Sequence, residues 1–319
     1  MLDPVAQGPV QLLLTAAVAR RYYLDGQSKV EIAAALGLSR FKVARLLDSA
    51  RESGLVRVEI GYPGIIDVEL SGRVQDMFGV RHAVVLDVPD TDDVELRAHV
   101  GQAAAQLLQE IVTDRDILGL TWSRSVTSMA AAMTALPAVP VVQLCGALAR
   151  SVVGEENSVE LVRQVARIAR GPAYYFYAPM ILPDPATATA LRRQPEVVSS
   201  FAQFAKVTLA VAGIGLWAPG KSTVYDSVDA AERAELSSLG VCAEVAGVFM
   251  DADGQLVTTR FAERVIGIDG PALQRIPEVI GVPYDHTKAP AVRAALRSRI
   301  ITGLVTHRSL AAALLELGR

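Results

Sequence analysis

Apolar positions in the first sixty residues recur at helical spacing and are broken twice by turn residues. The segment 12–24 predicts one helix. Residues 28–31 have the form of a capping box, which predicts a second helix that stops at Gly37, a residue suited to a left-handed helix end. Ser39 can cap a third helix over residues 40–53. The pattern therefore predicts three short helices with a sharp turn between the second and the third.

The spacing around this turn is typical of a helix-turn-helix. Ala33 is small enough to let the third helix approach the second closely, and Gly37 makes the turn. The shared core would consist of Ile32, Leu38, Val43 and Leu46. These features together favour a DNA-binding module, with a plain helical hairpin as the alternative.

Positive charge supports this interpretation, although the chain as a whole has a net charge of −3. The range 29–57 holds six Lys and Arg residues against three Asp and Glu residues, so the negative excess lies elsewhere. Exposed residues at the start of the third helix would contact DNA, and the basic pair on the first helix joins them as candidates. The predicted DNA-binding residues are Ser39, Arg40, Lys42, Arg45, Arg20 and Arg21. For each side chain, a solvated surface group remains the alternative.

The segment that follows alternates like a short strand. It predicts either a wing or, as we favour, a strand that closes the domain over residues 54–60. A Gly- and Pro-containing stretch then predicts a linker. We expect a DNA-binding domain over residues 1–60, a linker over 61–66 and a second domain over 67–319.

The second domain alternates short apolar strands with Ala-rich or amphipathic helices. The predicted strands are 82–88, 116–121, 139–145, 173–177, 207–212, 265–268, 278–282 and 301–306. The predicted helices are 94–112, 126–135, 158–170, 291–297 and 310–317. This alternation predicts a doubly wound α/β fold, in which a mostly parallel sheet is covered by helices on both faces. Ligands of such folds bind beyond the carboxyl ends of the strands.

Polar groups follow several of these strands. In residues 121–125, hydroxyls and a guanidinium meet the start of a helix, a combination that suits a phosphate or a polyol but also suits plain helix capping. The pair Gly213 and Gly215 permits close ligand approach or only a tight turn. Lys288 at a helix start is either a solvated lysine or a partner for an anion, and Glu244 is a carboxylate in an apolar run.

Composition excludes other classes of protein. Half of the residues are apolar and a fifth are charged, as in globular proteins. Cys145 and Cys242 lack CxxC spacing and sit in apolar runs, which favours free core thiols over a disulfide and predicts no metal site. A signal peptide and a membrane-length apolar window are missing, so we expect a cytoplasmic protein without membrane or cofactor.

Several ordered blocks resemble the SorC/DeoR-type sugar-binding transcriptional regulators. The blocks are residues 19–23, 28–56, 118–125, 141–146, 243–251, 288–297 and 301–306. The resemblance implies an effector domain related to sugar-phosphate isomerases but used for sensing. It also implies homo-oligomers, dimers or tetramers, that loosen from operator DNA when a sugar, polyol or sugar phosphate binds.

The resemblance also assigns residues to the effector site. Ser123, Arg124 and Ser125 would hold a phosphate or a terminal hydroxyl. The rest of the pocket would be lined by Gln143, Gly146, Glu244 and Lys288. Ser123 stands where many members have glycine, and residues 283–285 bring an acidic group to the approach to the lysine. These departures keep an unphosphorylated sugar or polyol open as the ligand.

The sequence thus predicts a transcriptional regulator of carbohydrate metabolism that is not an enzyme. A sugar-phosphate isomerase- or aldolase-like enzyme with an added DNA-binding module is the main alternative. Glu244 and Lys288 could then serve as a general base and a Schiff-base lysine, but no compact catalytic motif accompanies them. A purely architectural DNA-binding protein is a second alternative.

Overall fold

The computed structural model describes residues 8–57, 65–90, 92–148 and 158–318. The chain divides into two compact units, Met1–Gly61 and Tyr62–Arg319. Residues 54–57 form no strand, and the rest of the predicted strand 54–60 lies outside the described residues. Most of the predicted linker lies there too. Ile66 pairs with Leu86, so the last residue of the predicted linker belongs to the second unit.

The first unit consists of three helices, as the spacing predicts. They are α1 (Pro9–Tyr23), α2 (Lys29–Leu36) and α3 (Arg40–Glu52). The capping box is formed: Ser28 Oγ accepts from the Glu31 N–H at 3.3 Å, and Glu31 Oε2 accepts from the Ser28 N–H at 2.8 Å. Gly37 adopts the left-handed conformation, with φ of 63°, and makes the turn into α3.

One small apolar core holds these helices together. Its members come from all three helices, and they are Val18, Ala19, Ile32, Ala33, Val43, Leu46, Leu47 and Ala50. Leu38 is half-buried at its margin. The predicted roles of Ala33 and of the four apolar residues are therefore consistent with the packing.

The second unit is built on a seven-stranded sheet. Its strands are β1 (His82–Leu86), β2 (Leu118–Leu120), β3 (Val141–Gln143), β4 (Ala173–Tyr174), β5 (Leu209–Ala212), β9 (Glu278–Gly281) and β10 (Gly303–His307). They lie in the order β1-β10-β9-β5-β2-β3-β4, and every pair is parallel. The chain moves outward from β2 through β3 to β4, and then returns to the other side of β2 as β5. The strand order therefore reverses between β2 and β5, which is where folds of this kind bind ligands.

Helices cover both faces of this sheet. The helices of the second unit are α4 (Val68–Phe78), α5 (Asp93–Ile111), α6 (Arg124–Ala132), α7 (Ser158–Ala169), α8 (Pro185–Arg192), α9 (Pro195–Phe201), α10 (Thr223–Ser227), α11 (Ala230–Ser238), α12 (Gly270–Arg275), α13 (Ala289–Arg297) and α14 (Arg308–Leu317). One apolar core includes side chains of α4, α13 and α14, and the other includes those of α5, α6 and α7. The predicted doubly wound architecture is confirmed. No helix within the described ranges is both long and apolar enough to span a membrane.

Three features depart from the predicted elements. Residues 265–268 are not a strand; they make isolated bridges, Val265 to Ile181 and Gly267 to Cys145. A small antiparallel sheet is formed by β6 (Gly215–Leu216), β7 (Ala243–Val245) and β8 (Val248–Met250), and the sequence does not predict it. Helices α4, α8, α9, α10, α11 and α12 are likewise additional. The small sheet matters most, because β7 carries Glu244.

Candidate functional site

A cavity opens at the carboxyl ends of β2 and β5, where the strand order reverses. Its volume, counted together with the open mouth, is about 650 Å³. The lining comes from segments far apart in the chain, which the parallel sheet and the small antiparallel sheet bring together. Its polar and aromatic members include Trp122, Ser123, Arg124, Ser125, Lys221, Ser222, Glu244, Tyr284 and Lys288.

The start of α6 forms one wall of this cavity. Ser123 caps the helix, with its Oγ accepting from the Val126 N–H at 3.2 Å and lying 3.2 Å from Ser125 Oγ. No described residue accepts a hydrogen bond from the N–H groups of Arg124 and Ser125. The first turn therefore presents two free donors and two hydroxyls to the cavity, and the helix dipole makes this end attractive to anions.

Gly213 and Gly215 are required by close packing rather than by a turn. A Cβ at Gly213 would lie 2.4 Å from Ser123 Cβ, and a Cβ at Gly215 would lie 2.2 Å from Glu244 Oε1. Neither glycine has a positive φ. The sequence left a tight turn and close ligand approach as equal explanations. The structure gives a third, because side chains of the protein itself occupy the space that a Cβ would need at either glycine.

Glu244 is a buried carboxyl group at the base of the cavity. Its Oε1 accepts from Ser222 Oγ at 2.8 Å, and its Oε2 accepts from the Gly247 N–H at 3.2 Å. Burial raises the pKa of Glu244, against the opposing effect of these hydrogen bonds and of Lys288. The carboxyl group can therefore accept hydrogen bonds from ligand hydroxyls, and it stands within a protein environment that already fixes its orientation.

Lys288 reaches the same cavity from the start of α13. Its Nζ donates to the Ile214 carbonyl at 3.1 Å and lies 5.6 Å from the centre of the Tyr284 ring. Burial lowers the pKa of Lys288 to about 8, with Glu244 opposing the shift and Arg124 adding to it. The alternative of a solvated lysine does not describe this half-buried side chain.

The three cations beside the cavity differ in their partners. Lys221 Nζ lies 2.6 Å from Asp285 Oδ2, so its charge is balanced by an ion pair. Lys288 lies near Glu244. Arg124 has no acidic partner among the residues that the structure describes, so its guanidinium is the cation most free to bind a ligand.

Asp285 differs from its sequence-based expectation. The residue does not line the cavity. Its carboxylate accepts from Lys221 and also from the N–H and hydroxyl of Thr287, which turns it away from the place an anionic ligand would occupy. The lysine ion pair and the Thr287 hydrogen bonds lower the pKa of Asp285 against the effect of burial.

Gln143 is the predicted effector-binding residue that the structure places elsewhere. Its amide is buried and does not line the cavity. Its Nε2 donates to the Cys145 carbonyl and to Ser158 Oγ, and its Oε1 accepts from the Phe176 N–H. The Gln143 amide therefore links β3 to neighbouring segments of the protein. Its hydrogen bonds are made within the protein rather than offered to a ligand.

The other predicted effector-binding residues line the cavity together. They are Ser123, Arg124, Ser125, Gly146, Glu244 and Lys288. Close packing requires glycine at position 146, because a Cβ there would lie 2.8 Å from the Ala178 carbonyl oxygen. Sequence reasoning did not select Trp122, Lys221, Ser222 or Tyr284. Trp122 lies inside the predicted loop 121–125 and could have been named from it, whereas Lys221 and Ser222 precede a five-residue helix with no distinguishing pattern.

Both cysteines are free, and Cys145 lines the cavity. Burial raises the pKa of its thiol to about 11, so this group is a neutral thiol at physiological pH. Within the described part of the chain, no group of three or more His, Cys, Asp or Glu residues is arranged to hold a metal ion.

In the first unit, the predicted DNA-binding residues fall into two groups. Ser39, Arg40 and Lys42 lie exposed at the start of α3, with Arg45 about one turn later, and Ser39 Oγ accepts from the Lys42 N–H at 3.2 Å. Arg20 and Arg21 lie in the last turn of α1, where Arg21 donates to Gln27 Oε1 at 3.4 Å. The α3 group forms one cationic helix start, and the α1 pair is separate from it along the chain.

A doubly wound sheet with a polar cavity at its switch point, joined to a three-helix unit, defines a ligand-binding α/β protein with a helix-turn-helix-like module. The family model described as "Putative sugar-binding domain" matches residues 64–316. The chain belongs to this family, and its resemblance to the SorC/DeoR-type sugar-binding transcriptional regulators is confirmed.

Relatives match nearly the whole chain. The transcriptional regulator LsrR of Klebsiella pneumoniae is 29% identical over 313 residues, covering 95% of this chain and 93% of that protein. The sorbitol operon regulator of Klebsiella pneumoniae is 25% identical over 306 residues, covering 94% and 96%. The crystal structure of full-length SorC from Klebsiella pneumoniae superposes with a TM-score of 0.75 at 24% identity, covering 97% of this chain and 100% of that chain. This last likeness concerns the fold.

Proposed function

We propose that this protein is a DNA-binding transcriptional regulator of carbohydrate metabolism whose operator binding responds to a sugar, polyol or sugar phosphate. The observation that carries the proposal is the cavity at the switch point. It is lined by the buried Glu244, by Arg124 and by the start of α6, and the described residues offer no acidic partner to that arginine. Relatives of nearly the same length that are named as transcriptional regulators support the DNA-binding part. The protein would act in the cytoplasm as a homo-oligomer.

The lining favours an anionic ligand that also carries hydroxyl groups. Arg124, Lys288 and the α6 N–H groups suit a phosphate or another anion. Glu244 and Ser222 suit hydroxyls, and the half-buried Trp122 offers an apolar face to sugar C–H groups. A sugar or polyol phosphate satisfies both halves of the cavity, whereas an unphosphorylated polyol would leave Arg124 without a partner.

An isomerase or aldolase activity has one observation in its favour, the lowered pKa of Lys288. Against it, Glu244 is the only acidic side chain among the described residues that line the cavity, so no second carboxyl group stands beside it to complete an acid–base pair. We therefore assign the cavity to sensing rather than to turnover.

For coupling, we propose that ligand binding draws the start of α6 and the 286–288 turn together and alters how subunits pair. Subunit pairing sets the separation of two recognition helices, which must match about one helical turn of DNA or a multiple of it. A change in the separation of the recognition helices then changes the affinity for the operator. By the same coupling, operator DNA changes the affinity for the effector.

The proposal is tested by thermal-shift screening of the purified protein against pentoses, hexoses, hexitols and their phosphates. A ligand at 100 times its Kd should raise the free energy of unfolding by about 2.7 kcal/mol. Each hit is then added to a fluorescence-anisotropy titration with a duplex that the protein itself has selected from a randomised pool. A hit that changes the Kd for this duplex supports the sensor; turnover of a hit, or DNA binding indifferent to all of them, would contradict it.

The affinity for a phosphorylated hit is expected to fall by about tenfold between pH 7 and pH 9, because Lys288 loses its charge around pH 8. The phosphate itself is almost fully ionised throughout this window. In the same range the ligand-free protein should become more stable, since the unfolded chain keeps the Lys288 proton up to its ordinary pKa of 10.5 and the folded chain releases it near 8.

Isothermal titration calorimetry at several pH values checks this expectation. Lys288→Met should bind more weakly at pH 7 and show little dependence on pH. Lys206→Met removes an exposed ammonium that donates to Gln203, away from the cavity, and it should keep the wild-type profile. A wild-type slope that survives in Lys288→Met would assign the titration to another group.

A further inference from the structure

The start of α3 carries an aromatic side chain that no packing explains. Phe41 is 83% exposed, more than any other large hydrophobic residue in the described part of the chain. It stands between Arg40 and Lys42, directly after the Ser39 cap. Exposure of a phenylalanine ring to water is unfavourable, and burying the ring against another molecule would stabilise the complex. Its position therefore suggests a binding partner outside the three-helix unit.

Helix geometry places Phe41 on the face that points away from the core. The buried residues of α3 are Val43, Leu46, Leu47 and Ala50. Phe41 precedes Val43 by two positions, or about 200° around the helix, and precedes Arg45 by four, or about one turn. The aromatic ring therefore shares the outward face of α3 with the Arg45 guanidinium.

The charge around Phe41 indicates what kind of surface it meets. From Ser39 to Arg45 the chain has three cations and no acidic residue. Asp48, one turn further along, is already paired with Arg51. Within the described residues, none of these three cations has an acidic partner. An apolar ring among such cations is complementary to an apolar group on a polyanion, and it is poorly suited to pairing with the same cationic face of a second copy.

Such an apolar group exists in the major groove, where the C5-methyl of thymine projects among the base edges. We propose that Phe41 reads a thymine in the operator by packing its ring on this methyl group, with Arg45 contacting the neighbouring base or phosphate. The proposal rests on the proposed DNA-binding function and adds a base preference to it. Phe41 thus contributes to sequence specificity, whereas Arg40 and Lys42 contribute mainly to affinity.

The test replaces single thymines by deoxyuridine, which deletes the methyl group and leaves base pairing intact. The probe is a fluorescein-labelled duplex selected by the wild-type protein from a randomised pool, with one dT→dU change at each thymine in turn. At one thymine in each half-site, the wild-type Kd should rise about fourfold, the effect of a single buried methyl group. Phe41→Ala should bind the unmodified duplex several-fold more weakly and should not distinguish thymine from uracil there.

Matched variants separate the possible failures. Leu24→Ala removes another highly exposed apolar side chain of the same unit and should retain full thymine discrimination. Lys42→Ala and Arg45→Ala should weaken binding to this duplex. If these two variants lose affinity while Phe41→Ala discriminates thymine from uracil as the wild type does, the Phe41 assignment is wrong and the DNA-binding function stands. If neither Lys42→Ala nor Arg45→Ala changes affinity, the proposed DNA-binding surface fails with it.

Discussion

Replacing Arg124 with alanine is expected to weaken the binding of an anionic effector by about 10- to 100-fold, the effect of one lost charge-assisted hydrogen bond. The guanidinium lines the cavity at the start of α6 and has no acidic partner among the described residues. Removing it therefore leaves no protein charge unpaired and should barely alter the stability of the ligand-free protein. The variant should still bind DNA, but it should respond to effector only at much higher concentrations.

Calorimetry and the DNA-anisotropy titration, run on the same protein preparations, measure both effects. Arg115→Ala serves as the control, because this exposed arginine lies just before β2, at the end of the strand opposite to Arg124. It should keep the wild-type effector affinity. An Arg124→Ala protein that binds the effector as tightly as the wild type would place the anion elsewhere and would refute the assignment of this helix start.

A methyl group at position 213 is expected to disable the cavity and to destabilise the second unit by about 1–3 kcal/mol through overpacking. The added Cβ of Gly213→Ala would lie 2.4 Å from Ser123 Cβ and 2.6 Å from Ser123 Oγ. A Cβ atom cannot rotate away, so the backbone at the start of α6 has to shift. The free N–H groups then lose their alignment, and effector affinity should fall at least tenfold.

A second substitution, at Ser123, should relieve this clash. Ser123→Gly removes both offending atoms and leaves only the Cα at 3.9 Å. Glycine in place of a serine cap costs only a few tenths of a kcal/mol. The double variant should therefore recover most of the stability and much of the effector binding that Gly213→Ala loses, as measured by urea denaturation and calorimetry.

Gly72→Ala is the matched control, since a Cβ there meets nothing within 4 Å. That change lies inside α4 and should leave stability unchanged or slightly raised. A double variant as impaired as Gly213→Ala alone would show that the Gly213–Ser123 contact is not what shapes the helix start.

The sequence is most informative where local chemistry determines the structure. The capping box at Ser28, the left-handed Gly37 and the helical spacing of α2 and α3 depend on residues close in the chain, and these elements have the predicted ends. The alternation of strands and helices likewise predicts the layers of the second unit. The alternation does not predict strand length, because a strand ends where the neighbouring strand stops pairing with it. Thus β4 has only two residues, although the apolar run 173–177 has five.

The site is harder to predict from the sequence, because most of its residues are brought together by the fold. Ser123, Arg124 and Ser125 lie in one loop, and the residues of that loop are enough to predict an anion- or polyol-binding helix start. Lys221 enters the cavity through the placement of α10, and Glu244 does so through an antiparallel sheet of two- and three-residue strands. Gln143 shows the converse: a polar residue at a strand end looks functional until its partners, Cys145, Ser158 and Phe176, are known.

Asp285 lies outside the cavity, but it controls whether the charge of Lys221 is available to a ligand. The residue holds φ at 80°, a conformation that glycine or asparagine adopts more readily, and its carboxylate neutralises Lys221. A glycine at this position would relax the backbone and at the same time release a second cation toward the ligand. Selection could thus move such a regulator between singly and doubly charged metabolites in one mutational step, without rebuilding the sheet, the helix start or the module that meets DNA.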